Sequence, residues 1–335
     1  MTRPLDGIDL LVLDLDGVVY RGAEAVPYAV DAINGSGIPA AYLTNNASRT
    51  DAQVAQHLRS FGLAVEPADV VTSSQAAMTL LAQHVPEGGR VLVVGGEGLT
   101  SEVVKRGWQV VRRADENPHA VVQGFAPHVG WEDLAQAAFA LAKPVDQGGI
   151  PWVATNMDWT IPVEGGIAPG NGTLVSAVHT AASRMPEVAG KPERPIFQLA
   201  KERFGASTPL MIGDRLDTDI EGANKARMKT LHVMTGIDTA RQLLAAPKMR
   251  RPDFIIEDLR DLTADYEIPR ETLETSSGDV FFEVGTAAVR RSGNKIDLVR
   301  AGDRHIDTVR AACVAVWTSE YNIHGMHIGP EILAL

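Results

Sequence analysis

The chain has 335 residues, of which 45% are hydrophobic and 22% are charged, and this length predicts two or three globular domains. Its formal net charge of −11 argues against nucleic acid, or an anionic membrane surface, as a general partner, while still allowing a local site for an anionic substrate. The chain shows no pattern typical of a signal peptide, and no apolar run approaches the roughly 20 residues that membrane insertion requires.

Short apolar runs recur along the chain, and helical patterns lie between them. The predicted strands are residues 8–13, 38–43, 209–212, 230–234 and 254–256, and the predicted helices are residues 27–34, 51–61, 195–204 and 220–226. Continuous apolar runs of this length are typical of strands that are buried on both faces, as in a parallel sheet. The alternation of strands and helices therefore predicts an α/β fold with a doubly wound, Rossmann-like core.

The middle of the chain interrupts this series with α/β material of its own. Three more strands are predicted at residues 91–94, 120–123 and 151–154, and a helix at residues 131–141. A segment of this size can bury its own core, so we expect an inserted domain. The expected division is a core domain of residues 1–74 and 185–262 with an inserted α/β domain of residues 75–184.

The last part of the chain, residues 263–335, predicts a small α+β module. Its pattern indicates strands at residues 280–289 and 295–299 and a helix at residues 307–318. Because roughly 70 residues are marginal for an independent domain, we expect the module to pack on the core or to form a homo-oligomer contact. Its one cysteine, Cys313, is expected to be buried, and the lack of an intramolecular disulfide fits a reducing cytoplasm.

Polar residues follow three of the predicted core strands. The segments are Asp14-Leu15-Asp16-Gly17, Thr44-Asn45-Asn46, and Gly213-Asp214 with Asp219 five residues later. In open α/β sheets, ligands bind outside the carboxyl ends of the strands, so these side chains are expected at one edge. Clustered carboxylates repel one another unless a cation intervenes, and a few hard oxygen ligands suit Mg²⁺. Strand-end acids can also be helix caps or solvated loop residues, but the combination of motifs favours a magnesium site.

These motifs resemble the four motifs of the haloacid dehalogenase-like superfamily, with Lys191 as the third. The longer strings around them are similar to those of the glycerol-phosphate, phosphoglycolate and 4-nitrophenyl phosphatases. Enzymes of that subfamily carry a large α/β (type 2) cap between the second and third motifs, where the insertion at residues 75–184 lies. The resemblance covers about residues 8–260 and implies a Mg²⁺-dependent phosphatase that acts on a small phosphate ester, with glycerol 3-phosphate as the first expectation.

The resemblance also implies a role for each motif residue. The nucleophile is Asp14, the general acid and base is Asp16, the metal ligands are Asp14, Asp16 (through its carbonyl) and Asp214, the residue orienting metal-bound water is Asp219, and the phosphate-binding residues are Thr44, Asn45 (through its amide) and Lys191. The chemistry is consistent with these roles, since a carboxylate that attacks phosphorus divides one difficult step into two. An aspartate two positions on points to the same side of an extended segment, as proton transfer requires.

Other interpretations of substrate and function are open at this stage. Phosphoglycolate, a nucleoside monophosphate or a sugar phosphate would also fit, and the loop at residues 124–129 lacks a charged pair that is familiar in the subfamily. Two cap segments of the subfamily are similar to residues 155–158 and 168–172, which are further candidates for substrate contact. A phosphomutase and a non-catalytic binding protein on the same fold are the competing functions, and the full set of motif acids with Lys191 argues against the second.

Overall fold

The computed structural model describes residues 2–163 and 165–335. The strands are β1 (Leu10–Leu13), β2 (Tyr20–Arg21), β3 (Glu24–Ala25), β4 (Ala40–Thr44), β5 (Val70–Thr72), β6 (Arg90–Val94), β7 (Gln109–Val111), β8 (Ala120–Gln123), β9 (Trp152–Ala154), β10 (Thr160–Val163), β11 (Gly166–Pro169), β12 (Glu187–Val188), β13 (Pro209–Gly213), β14 (Lys229–Val233), β15 (Phe254–Ile256), β16 (Arg270–Leu273), β17 (Val280–Val284), β18 (Ala287–Ser292), β19 (Lys295–Arg300) and β20 (His327–Ile328). The helices are α1 (Ala29–Gly35), α2 (Asp51–Ser60), α3 (Ser73–Leu81), α4 (Glu97–Lys105), α5 (Trp131–Ala140), α6 (Asn171–Ala182), α7 (Arg194–Phe204), α8 (Glu221–Lys225), α9 (Ala240–Leu244), α10 (His305–Trp317) and α11 (Pro330–Leu333).

The chain forms two compact units, and the first takes in residues up to Ala40 together with Thr208–Leu335. Its central sheet is parallel, with β1 beside β13, β13 beside β14, and β14 beside β15. Every residue of β1 and β13 is buried, which is why both strands appear in the sequence as unbroken apolar runs. Both strands end at the same edge of this sheet, since Leu13 lies opposite Ile212.

The second unit, Ala41–Ser207, contains a parallel pair of strands, β4 and β5, and a larger parallel sheet. In the larger sheet the strand order is β12-β9-β8-β6-β7. Helices α5 and α6 cover one face of it, in a core that includes Val121, Trp152 and Val175. An antiparallel hairpin of β10 and β11 adds to this unit, and its strands have no buried residue among those described.

The C-terminal module belongs to the first unit and shares its hydrophobic core. Strands β16 to β20 form one sheet. Helix α10 packs against α9 and against β15, which is a strand of the parallel sheet. The Trp317 indole donates a hydrogen bond to the Leu243 carbonyl at 3.0 Å, and the Arg310 guanidinium donates one to the Ile255 carbonyl at 2.7 Å. Of the two roles expected for this module, packing on the core is therefore observed.

One predicted strand of the module is wrong. Residues 280–289 do not form a single strand, because Gly285 and Thr286 make a two-residue turn between β17 and β18. Gly285 has φ +54°, a left-handed conformation that glycine adopts at little cost. The single glycine within the apolar run of residues 280–289 was the sequence signal for this turn. The turn brings Val284 and Ala287 into an antiparallel pair.

The parallel sheets with their helices confirm the predicted α/β class. The finer division into a core, a cap at residues 75–184 and a module at residues 263–335 stays a prediction, and the boundaries of the two compact units fall elsewhere. Cys313 is buried, as expected. Among the described residues, none of the helices combines the length and the apolar character that crossing a membrane demands.

His232 makes the stability of the first unit depend on pH. Burial lowers its pKa from 6.5 to about 4, and its Nδ1 atom has no hydrogen-bond partner among the described residues. Between pH 6.5 and pH 4, His232 is protonated in the unfolded chain but not in the folded chain. The free energy of unfolding therefore falls as the pH drops through this window. We expect His232→Gln to remove up to about 2.5 kcal/mol of this pH dependence between pH 7 and pH 4.5, as measured by urea unfolding at the two pH values. The exposed His324→Gln is the control, and equal pH dependence in both variants would contradict the assignment.

Candidate active site

The first candidate side chain follows β1 directly. The Asp14 backbone N–H donates to the Ile212 carbonyl at 2.9 Å, which ties the end of β1 to β13. A tight turn comes next, in which the Gly17 N–H donates to the Tyr20 carbonyl at 2.8 Å. Gly17 has φ +82°, and a Cβ atom there would lie 2.5 Å from the Asp214 carboxylate oxygen Oδ2. Both the backbone conformation and the lack of space therefore require glycine at this position.

Asp214 lies at the end of β13 and is almost completely buried, with 1% of its surface exposed. Its Oδ2 atom accepts a hydrogen bond of 2.7 Å from the Ile237 N–H, and this bond fixes the orientation of the carboxylate. A Cβ atom at Gly236 would overlap the same carboxylate. Thr235 contributes to this loop by donating from its hydroxyl to the Gly17 carbonyl at 2.7 Å. The loop after β14 therefore buttresses Asp214 on one side and the Gly17 turn on the other.

The third carboxylate, that of Asp219, comes from the turn between β13 and α8. It is completely buried, and its Oδ2 atom accepts a hydrogen bond of 3.1 Å from the Arg215 N–H. Gly213 leaves the space that the Asp219 side chain occupies, because a Cβ atom there would overlap it. In the same loop region, burial raises the pKa of Asp238, whose Oδ2 atom accepts a 2.6 Å hydrogen bond from Leu216.

The three carboxylates converge. Asp14, Asp214 and Asp219 each place one oxygen within 4.8 Å of the others, close enough to share one metal ion. Carboxylates this near to one another raise the free energy of the folded state unless a cation compensates them. Hard oxygen donors in small number are the donor set that Mg²⁺ takes from proteins, so the residues fit this ion. Asp16 lies outside the cluster, with an exposed side chain and a backbone that pairs with Tyr20.

The remaining predicted site residues lie in the second unit and come together there. Thr44 ends β4, and its hydroxyl accepts a hydrogen bond of 3.1 Å from the Asn46 N–H. The Asn45 side chain contacts the backbone of Lys191, although the two residues are 146 positions apart. Lys191 is buried, with 4% of its surface exposed. Most lysines lie at the surface, so the burial of Lys191 is unusual for its residue type.

Sequence reasoning missed Ser73, and it did not predict that Asn156 and Asp158, which lie in the candidate segment 155–158, contact Asn45. Ser73 and Asn156 both donate hydrogen bonds to the Asn45 carbonyl, at 2.7 Å and 2.8 Å. The carboxylate of Asp158 accepts from the Asn45 side-chain amide at 3.1 Å. The similarity of residues 155–158 to a cap segment was the signal that pointed to this region, but it gave no partner for those side chains.

The chain is similar to several known proteins. A family model described as haloacid dehalogenase-like hydrolase matches residues 11–109, and one described as HAD-hydrolase-like matches residues 188–262, together slightly more than half of the chain. The chain is 41% identical over 310 residues to a D-glycerol 3-phosphate phosphatase of Mycobacterium tuberculosis, covering 92% of this chain and 86% of the relative. It is 34% identical over 261 residues to an acid sugar phosphatase of Staphylococcus aureus, covering 76% of this chain and 97% of the relative.

A solved structure is similar along the whole length. It is that of a glycerol phosphate phosphatase from Mycobacterium tuberculosis in complex with magnesium, with a TM-score of 0.84 and 37% identity. The match covers 100% of this chain and 97% of the other. The agreement therefore includes the C-terminal module as well as the residues that carry the motifs.

The glycine at position 236 offers a test of the carboxylate cluster. We expect Gly236→Ala to push the Asp214 carboxylate out of place and to weaken Mg²⁺ binding by about 5- to 140-fold, which corresponds to the cost of about 1–3 kcal/mol that overpacking of this kind has. Isothermal titration with Mg²⁺ measures the affinity, and thermal unfolding reports on the fold. The control is Gly35→Ala, where an added Cβ atom meets open space. Equal Mg²⁺ affinity in the two variants would show that Asp214 is not a metal ligand.

Proposed function

The chain belongs to the haloacid dehalogenase-like hydrolase family and is a phosphatase, and on this premise we propose that its substrate is a small phosphomonoester, with glycerol 3-phosphate first. The observation that carries the chemistry is the convergence of Asp14, Asp214 and Asp219 at the carboxyl ends of β1 and β13. The substrate is supported by the 41% identity to a relative named as a D-glycerol 3-phosphate phosphatase.

Mg²⁺ is the cofactor of this enzyme class, and the donor set described above fits it. We propose that the side chains of Asp14 and Asp214 and the backbone carbonyl of Asp16 are its protein ligands. Asp219, already held by the Arg215 N–H, would orient the water molecules of the ion. When bound, Mg²⁺ screens the negative nucleophile from the negative phosphate and stabilises the charge of the transition state.

The proposed reaction has two steps, and the same residue manages the proton in both. The Asp14 carboxylate attacks phosphorus, the bond from phosphorus to the leaving oxygen breaks, and Asp16 protonates that oxygen. A water molecule then attacks the phosphorus of the aspartyl phosphate while Asp16 takes up its proton, which releases phosphate and regenerates Asp14. The exposed position of Asp16 suits a group that must exchange protons with a leaving group and with water.

Three groups of the second unit are proposed to bind the phosphoryl oxygens. The Thr44 hydroxyl and the Asn45 backbone N–H would donate hydrogen bonds, and the Lys191 ammonium would neutralise negative charge. Lys191 has only 4% of its surface exposed, so water screens its ammonium group little and its attraction for an anionic ligand is strong.

A sugar phosphate is the second candidate substrate, because the relative from Staphylococcus aureus is named as an acid sugar phosphatase. Phosphoglycolate and nucleoside monophosphates rank behind these two. We also propose a cytoplasmic location, since the one cysteine, buried in α10, leaves no intramolecular disulfide. The homo-oligomer contact expected for the C-terminal module stays a prediction.

The function is tested by phosphate release from a panel of phosphomonoesters with Mg²⁺ or with EDTA. We expect Mg²⁺-dependent release, greatest with glycerol 3-phosphate, and a loss of roughly three orders of magnitude or more in Asp14→Asn, because the amide cannot act as the nucleophile. The exposed Asp31→Asn in α1 is the matched control and should retain wild-type turnover. Turnover by Asp14→Asn at the wild-type rate, or release in EDTA, would contradict the mechanism.

The role of Asp16 predicts a dependence on the leaving group. The 4-nitrophenolate ion leaves without a proton, whereas the alkoxide of glycerol needs one, so Asp16→Asn should still form the aspartyl phosphate from 4-nitrophenyl phosphate. Stopped-flow absorbance should then show a burst of about one 4-nitrophenolate per enzyme, followed by slow turnover, because the variant lacks a base for the attacking water. Glycerol release by the same variant should show no burst. If Asp16→Asn instead slowed the formation and the hydrolysis of the aspartyl phosphate to the same extent with both substrates, Asp16 would not be the proton-transfer residue.

A further inference from the structure

The side chain of Asn45 forms two hydrogen bonds with the backbone of Lys191, and we call this pair of bonds the clamp. Its Oδ1 atom accepts a hydrogen bond of 2.8 Å from the Lys191 N–H, and its Nδ2 atom donates one of 3.1 Å to the Lys191 carbonyl. An asparagine amide here pairs with a main-chain residue in the way that a neighbouring strand would. The two bonds fix both the position and the rotation of the lysine backbone.

Other bonds hold Asn45 itself. Its Nδ2 atom also donates to the two carboxylate oxygens of Asp158, at 3.1 Å and 3.3 Å, so both of its hydrogens have acceptors. Its backbone carbonyl accepts from Ser73 and Asn156, and the Asn156 side chain accepts from the Asp158 N–H at 3.1 Å. The segment of residues 155–158 therefore holds Asn45 through its side chain and through its carbonyl.

A glycine makes this close approach feasible. A Cβ atom at Gly190 would lie 2.5 Å from the Asn45 Oδ1 atom and would overlap the Thr155 carbonyl. Only a residue without a side chain leaves room for both groups next to the chain that leads into Lys191. The clamp thus depends on a specific residue before the lysine as well as on the amide that reaches it.

We propose that Asn45, which Asp158 holds in place, is a positioning residue for the Lys191 ammonium, so that the phosphate-binding lysine and residues 155–158 form one hydrogen-bonded unit. The inference rests on the proposed function in taking Lys191 as the phosphate ligand. The ammonium stands at the end of a flexible four-carbon stem, so a small error in its backbone displaces the charge. Misplacement of a reacting group by about 1 Å costs on the order of 100-fold in rate.

The exchange of carboxamide for carboxylate at Asn45 and the reverse exchange at Asp158 have opposite expectations. Asn45→Asp keeps the shape of the side chain but loses both donors and sets a carboxylate beside Asp158 and the Lys191 carbonyl, which breaks the clamp. Asp158→Asn keeps an oxygen that can accept from Asn45, so it should preserve most of the function. We expect a fall in kcat/KM of about 100-fold for Asn45→Asp and of less than about fivefold for Asp158→Asn.

The binding of orthovanadate, which mimics the transferring phosphoryl group, gives a readout without turnover. Isothermal titration in the presence of Mg²⁺ should show weaker orthovanadate binding by Asn45→Asp, in proportion to the loss of kcat/KM. The Mg²⁺ affinity should be unchanged, because the carboxylates proposed to bind the ion belong to the first unit. The exposed Gln83→Ala, an amide removed elsewhere in the second unit, is the control.

A double-mutant cycle separates positioning from general stability. If Asn45 acts through Lys191, Asn45→Ala should cost turnover in the wild type and almost nothing in a Lys191→Ala background. Additive losses, or wild-type orthovanadate affinity in Asn45→Asp, would overturn the clamp. A wild type that binds orthovanadate more tightly than Asn45→Asp, yet hydrolyses no ester of the panel, would support the clamp and reject the proposed function. A wild type that neither hydrolyses an ester nor binds orthovanadate would overturn both.

Discussion

The mutual repulsion of three carboxylates is the constraint on which the first unit depends. Asp14, Asp214 and Asp219 bring oxygens within 4.8 Å of one another, and Asp214 and Asp219 are almost completely buried. Ionised carboxylates this close repel one another, so the chain must hold them in place. It does so with parallel strands that end at one edge, with backbone N–H donors, and with glycines at the positions where a side chain would displace a carboxylate. A divalent cation bound among these oxygens would compensate their negative charge.

The sequence was informative wherever one physical cause dominates. Unbroken apolar runs predicted β1 and β13 because both strands are buried on both faces, and the acids at their ends predicted the cluster because parallel strands end at a common edge. The hairpin of β10 and β11 was not predicted, because its strands are exposed and lack an apolar pattern. The contact between Asn45 and Lys191 was also missed, since side-chain hydrogen bonds between residues 146 apart leave no periodic signal.

The residues proposed for catalysis fall into two groups held by different kinds of force. The acids of the first unit are held in place mainly by the packing of the buried strands and tight turns that carry them. A few backbone N–H groups add hydrogen bonds to their carboxylates. The backbone of Lys191 in the second unit is fixed by a network of side-chain hydrogen bonds centred on Asn45. Directional bonds of this kind tolerate few substitutions, because one lost donor leaves another buried group unsatisfied. Conservative substitutions in this network are therefore more informative than truncation of a side chain to alanine.

The shared core of the C-terminal module means that its variation acts on enzyme abundance. Its helix α10 is hydrogen-bonded to Leu243 and Ile255 of the same unit, so a substitution that weakens the packing of α10 lowers the folding stability of the whole unit. A loss of about 1–2 kcal/mol is enough to change the amount of folded protein in a cell several-fold through chaperones and proteases. A substitution at Val309, a completely buried residue of α10 in this shared core, would thus resemble a loss of catalysis in a crude extract. Each molecule that still folds would work at its full rate.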